Sequence, residues 1–123
     1  MAEFRAVVRQ RAGAAVVDLH GQIDMAADGP LAAAYAEAAG LGTGAIVLNF
    51  EGVDYINSTG IALIVGLLAR ARKERRAIGA CGLSDHYREI FEITRLSDFM
   101  GIYADEDSAA GAPAAAGNTG RQP

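Results

Sequence analysis

The hydroxyls of Ser58 and Thr59, set between Asn57 and Gly60, are the side chains best placed in this sequence to do chemistry. Asparagine caps helices well, and the apolar run that starts at Ile61 needs a cap just there. The two hydroxyls therefore fall in a first helical turn, beside unsatisfied backbone N–H groups at the partly positive end of the helix dipole. An anion added to Ser58 is tolerated in that position. The plainer reading is that Asn57, Ser58 and Thr59 do no more than cap the helix. Glu51 and Asp54, on the stretch leading to Ser58, read as solvated loop acids. Asp24, further upstream, reads as a turn or cap aspartate.

Catalytic arrangements find little support. His20 falls on a strand and His86 on a helix, and neither has the His-x-x-x-His or His-Glu spacing of a metal ligand set, so no metal and no cofactor is expected. Asn57-Ser58-Thr59-Gly60 is not the Gly-x-Ser-x-Gly elbow of a hydrolase, and no Walker-type phosphate loop occurs. The one cysteine, Cys81, lies in an apolar stretch between glycine-rich neighbours and reads as a small buried hydrophobe. The chain is not expected to be an enzyme.

Elements that could hold Ser58 in place follow from periodicity. Residues 4–10 and 15–20 alternate as strands, joined by Arg11–Ala14 as a β-hairpin. Asp28-Gly29-Pro30 opens a helix, with proline suited to its first position, and Gly40 closes it; Leu31, Tyr35 and Ala38 mark its buried face. Ala45–Phe50 is a compact apolar run that reads as a central strand, with 51–56 a loop. The helix after Asn57 carries Ile61, Leu63, Ile64, Val65, Leu67 and Leu68, and its apolar run must be buried in protein. Arg70, Arg72, Lys73, Arg75 and Arg76 gather at its negative end. Residues 77–83 form a further strand, Ser84 caps a helix carrying Tyr87, Ile90 and Phe91, and 102–104 a last short strand. The order β-β-α-β-α-β-α-(β) implies an α/β fold in which helices pack on a mixed sheet that is parallel in its later part.

Composition narrows the setting. The 123 residues carry a formal charge of −4, with 51% hydrophobic and 21% charged residues, the balance of one globular domain. An acidic chain is not drawn to phosphate backbones or anionic membranes, so nucleic acid and membrane partners are not expected. The N-terminus lacks the apolar core of a signal peptide, and the apolar run at 61–69 is far short of the ~20 residues that span a bilayer. With a single cysteine, this favours the cytoplasm. From Ala109 onward the residues are small and glycine-rich; 1–108 is expected to be the domain and 109–123 a disordered tail.

Two motifs in register resemble a known family. The stretch Val47-Leu48-Asn49-Phe50-Glu51-Gly52-Val53-Asp54-Tyr55-Ile56-Asn57-Ser58-Thr59-Gly60-Ile61 is similar to the signature of STAS domains, in particular the bacterial anti-sigma factor antagonists. Leu19-His20-Gly21-Gln22-Ile23-Asp24 resembles the Gly-x-Leu/Ile-Asp step after that family's second strand. The likeness in order and spacing runs from about Phe4 to about Asp107. It implies a STAS-like fold and a partner-switching role. Ser58 is then the residue phosphorylated by a serine-kinase anti-sigma factor, with Thr59 the lesser candidate and a phosphatase reversing the step. Asp24, Asn57, Ser58, Thr59 and Gly60 become the partner-binding residues. The unphosphorylated form binds the kinase and frees a sigma factor. Asn57 departs from the aspartate usual in the family, which removes a charge beside the acceptor. The alternatives are a scaffold subunit of a multi-STAS assembly, or a small-ligand or nucleotide sensor using a pocket between the first helix and the Asn57 loop.

Overall fold

The alternating residues at the start of the chain form two antiparallel strands, β1 (Arg5–Arg11) and β2 (Ala14–Ile23), in the computed structural model, which describes residues 3–11, 13–42 and 44–110. There follow a 3-10 turn at Met25–Ala27, α1 (Asp28–Gly40), β3 (Ala45–Ile56), α2 (Ser58–Lys73), β4 (Ile78–Cys81) and α3 (Asp85–Ile93). A 3-10 turn at Leu96–Asp98, β5 (Gly101–Tyr103) and α4 (Glu106–Ala110) complete the order. The sheet runs β1-β2-β3-β4-β5, antiparallel only between β1 and β2 and parallel from β2 onward. The mixed α/β sheet and the central place of β3 are as the periodicity implies.

Side chains alternate across the sheet, so neighbours in one strand serve different layers. Val17, Leu19, Ile46, Leu48, Phe50, Ile78 and Ala80 face the main core. There they meet Leu31 and Tyr35 of α1, Ile64, Leu67 and Leu68 of α2, and Phe91 of α3. Phe50 and Phe91 meet edge to face at 5.7 Å. Val16, Val47 and Cys81 point the other way, where Ala109 of α4 covers them. The sheet thus has three helices on one face and a five-residue helix on the other.

Several expectations differ from what the structure shows. Residues 51–56 are not a loop: they continue β3, paired with the end of β2 from His20↔Gly52 to Ile23↔Ile56, with one register shift just before His20 and another between Gly21 and Gln22. The polar, glycine-bearing sequence hides a strand because a close approach demands the glycine. A Cβ at Gly52 would lie 2.4 Å from Nδ1 of His20 and 3.0 Å from the Leu19 carbonyl oxygen. Pro30 occupies the third position of α1, after Asp28 and Gly29, where its missing N–H is still one the helix leaves unpaired. The run at 61–69 is not wholly buried, since Ala62, Val65, Gly66 and Ala69 are exposed. The expected boundary between 108 and 109 falls inside α4, in which Ala109 is buried; residues 111–123 lie outside the described residues.

Candidate functional site

Ser58 is the first residue of α2 and is exposed. Its position is built by three contacts. Asn57 takes extended backbone angles as the N-cap, and its side-chain oxygen accepts from the Gly60 N–H at 2.8 Å. Its carbonyl accepts from the Ile61 N–H at 3.0 Å, and its own N–H donates to the Ile23 carbonyl at 3.2 Å. The turn is therefore tied to the helix that follows it and to the strand beside it.

Gly60 is buried where α2 comes down on the end of β2. A Cβ there would sit 2.1 Å from the Ile23 carbonyl oxygen and 2.9 Å from Cγ2 of Ile56. Only glycine allows that approach without displacement of backbone. Thr59, next to it, is half-buried.

Asp24 and Asn57 directly follow the paired residues Ile23 and Ile56, so both turns leave the sheet at the same end. Asp24 caps the 3-10 turn, accepting from the Ala26 N–H at 3.0 Å. That turn leaves Met25 exposed at 66%. Along α2, Ser58, Ala62, Val65 and Ala69 share one stripe at helical spacing, and all four are exposed. The acceptor hydroxyl thus begins a surface of small and apolar side chains, with the Asp24–Met25 turn beside it. Met25 and Val65 are members of that surface that residue type alone did not mark. The four-three-four spacing from Ser58 is the signal that could have separated Val65 from its buried neighbours.

Tyr87 of α3 also serves this end of the sheet. β4 pairs with β3 only from Ile46 to Asn49, which leaves the far edge of β3 without a strand partner beyond that point. At Ile56, one residue before the cap, the Tyr87 hydroxyl accepts from the backbone N–H at 2.9 Å and lies 3.5 Å from the carbonyl oxygen. Helical spacing marked Tyr87 as a packing residue. Its second task depends on where β4 stops.

The remaining candidates lie apart from the turn. Glu51 and Asp54 are exposed on β3, His86 is exposed on α3 and His20 is half-buried on β2. Burial beneath α4 pushes the Cys81 thiol up to about 11, with the nearby carboxylates of Glu106, Glu51, Asp18 and Asp105 adding to the effect, so it is protonated and unreactive at neutral pH. Among the described residues no group of three or more His, Cys, Asp and Glu is disposed to hold a metal ion. A groove of about 220 Å³ between α1 and α2 is lined by Asp28, Leu31 and Ala32 of α1 and by Ala62, Leu63, Gly66, Leu67 and Arg70 of α2. It contains no residue of the Asn57–Gly60 turn and is smaller than the ~300 Å³ at which small-molecule sites usually begin. Among the described residues no helix is long and apolar enough to cross a membrane.

Comparison with known proteins agrees with this architecture. The family model described as "Mlab, STAS domain" matches residues 6–102. The putative anti-sigma factor antagonist BtrV of Bordetella bronchiseptica is 30% identical over 103 residues, covering 84% of this chain and 86% of that protein. The anti-sigma-B factor antagonist of Staphylococcus aureus is 39% identical over 61 residues, half of this chain; the match spans only 56% of that relative's length. Among solved structures, an anti-sigma factor antagonist from Mycobacterium paratuberculosis superposes with a TM-score of 0.73 at 22% identity, over 87% of this chain and 91% of its own. The Bacillus cell fate determinant SpoIIAA in its phosphorylated form superposes with a TM-score of 0.62 at 23% identity, over 86% and 96%.

Proposed function

The chain belongs to the STAS-domain family, and on that footing we propose that it is an anti-sigma factor antagonist switched by phosphorylation at Ser58. The observation that carries the proposal is the exposed hydroxyl at a capped helix N-terminus, standing at the head of the exposed Ala62–Val65–Ala69 stripe and beside the Asp24–Met25 turn. Two relatives bear the name anti-sigma factor antagonist, which supports the same reading.

In this reading the unphosphorylated face docks on a serine-kinase anti-sigma factor. Asp24, Asn57, Ser58 and Thr59 form the polar part of the contact and Met25, Ala62 and Val65 the apolar part, while Gly60, buried beneath, serves the partner-binding turn by holding it against β2. Binding occupies the anti-sigma factor and so frees a sigma factor. The kinase transfers the terminal phosphoryl group of ATP to the Ser58 oxygen, which loses its proton, and ADP leaves. The phosphoserine, with about −1.5 to −2 charges at pH 7, is held by the first-turn N–H groups, so the helix survives. What changes is the face: a dianion now stands where small neutral side chains were to be desolvated, and docking fails. A phosphatase restores the hydroxyl. The chain performs no catalysis itself and works in the cytoplasm.

The test is incubation with a serine-kinase anti-sigma factor from the same cell and ATP, followed by peptide mapping and by binding measurements. Label at Ser58, none in Ser58→Ala, and weakened binding by Ser58→Glu with an unaltered melting curve are the expected results. Label elsewhere overturns the assignment of Ser58. Full-strength binding by both Ser58→Glu and the phosphorylated protein leaves the scaffold role in its place.

A further inference from the structure

The sheet's second face is covered in an unusual way. Val16, Val47 and Cys81 are buried there although α4 brings only Ala109 and Ala110 against them, with Tyr103 packing at the side. A five-residue helix has no stability of its own in water. The apolar contact amounts to two alanine methyl groups. α4 is held chiefly by charge.

Arg11 of β1 donates to Oε2 of Glu106 at 2.7 Å and also binds the Asp107 carboxylate. Arg9 donates to both carboxylate oxygens of Glu106, with Nη1 at 3.0 Å from Oε2 and Nη2 on Oε1, and grips Asp18 of β2 through Nε at 2.6 Å. Asp18 in turn accepts from the Asn49 side chain at 2.9 Å. Asp105 closes the start of α4 by accepting from the Ser108 N–H at 2.9 Å. The charged or titratable groups on this face are therefore Arg5, Arg9 and Arg11 from β1, Asp18 and His20 from β2, Glu51 from β3, Cys81 from β4, Tyr103 from β5, and Asp105, Glu106 and Asp107 from the segment itself. Both arginines and Asp107 are substantially exposed, so salt reaches the clamp.

We propose that Asp105–Ala110 is an ionic strap that opens separately from the rest of the fold, and that its release, by salt or by a competing charged group, uncovers the Val16–Val47–Cys81 face. The strap closes a surface remote from Ser58 in the fold, and its opening does not depend on which partner reads that residue. Release leaves the main core intact, because α1, α2 and α3 all pack on the opposite face.

Cys81 is the built-in reporter. Neutral iodoacetamide should alkylate it in the full-length protein at a rate set by strap opening, measured at 20 and 500 mM NaCl and normalised to the urea-unfolded protein in the same buffer. The wild type is expected to react about tenfold faster at the higher salt. Arg11→Gln, which removes contacts to the strap alone, and Ala109→Asp, which sets a carboxylate against the apolar face, should react fast at both. Hydrogen exchange in α1, α2 and α3 should be the same in all three proteins. A salt-independent rate in the wild type overturns the proposal whatever the variants do. So does alkylation that rises only in step with exchange of the core amides around Phe50 and Phe91, since the thiol would then be exposed by global unfolding alone.

Discussion

Asn57 and Gly60 divide the work of presenting Ser58, and each makes a separate prediction. Gly60 is a close-approach residue. Gly60→Ala places a methyl group on the Ile23 carbonyl, which belongs to backbone and cannot rotate away, so we expect a loss of about 2–3 kcal/mol by urea or thermal unfolding. An alanine protein of wild-type stability would mean that α2 shifts freely on β2. Asn57 is a cap, and aspartate caps equally well while adding a charge that the helix end favours. Asn57→Asp should leave stability within about 0.5 kcal/mol of wild type and change the rate of Ser58 phosphorylation instead. A large fall in melting temperature with an unchanged rate would count against this division of roles.

At the scale of elements, α3 supports the Ser58 turn through one hydroxyl. Tyr87→Phe keeps the ring and removes the acceptor for the N–H of buried Ile56, leaving an edge amide to find another partner. The expected cost is about 1 kcal/mol, or a melting temperature lower by roughly 4 °C or more, with faster hydrogen exchange localised to Ile56 and its neighbours. Exchange that rises evenly over the whole protein would show that Tyr87 is a packing residue only. The basic group at the end of α2 also has internal duties that a dipole argument does not foresee. Arg76 donates to the carbonyls of Gly42 and Gly44 at 2.9 Å and of Ala39 at 3.3 Å, fastening the end of α1 and the loop after it. The Arg70 guanidinium lies 4.6 Å from the centre of the Tyr35 ring, and Arg72 lies 5.4 Å from that of Phe99.

At the scale of the whole molecule, the clamp on the second face gives stability a defined dependence on acid. Hydrogen bonds from Arg9 and then Arg11 hold the Glu106 carboxyl below its ordinary value of 4.5, and Arg9 holds Asp18 below 3.8. Both groups bind protons more weakly folded than unfolded. Their contribution is therefore complete above the unfolded values and is lost as pH falls from about 4.5 through the lower folded ones. Melting temperature should be insensitive to these groups between pH 5 and 8 and should decline below about pH 4.5. Arg9→Gln combined with Arg11→Gln should flatten that acid limb. An acid limb of the same steepness in the double variant would place its cause elsewhere in the chain.

Local chemistry was enough to read the parts whose causes are local. The Asn57 cap, the Ser84 cap, the buried Leu31–Tyr35–Ala38 face and the central apolar strand at 45–50 each depend on residue type and short-range periodicity, and the sheet's mixed order follows from where those elements fall. The hydroxyl at Ser58 was legible for the same reason. What tertiary structure decided is whatever depends on a neighbour distant in sequence. Residues 51–56 become strand because β2 runs beside them, against a composition that favours a loop. Val65 is exposed while Ile64 is buried, because only the packing of α2 on the sheet chooses which part of a nearly all-apolar run faces outward. Ala109 is buried because Arg9 and Arg11, almost a hundred residues earlier, draw Glu106 and Asp107 down onto the sheet; an alanine in a glycine-rich stretch carries no sign of that partner in its own sequence.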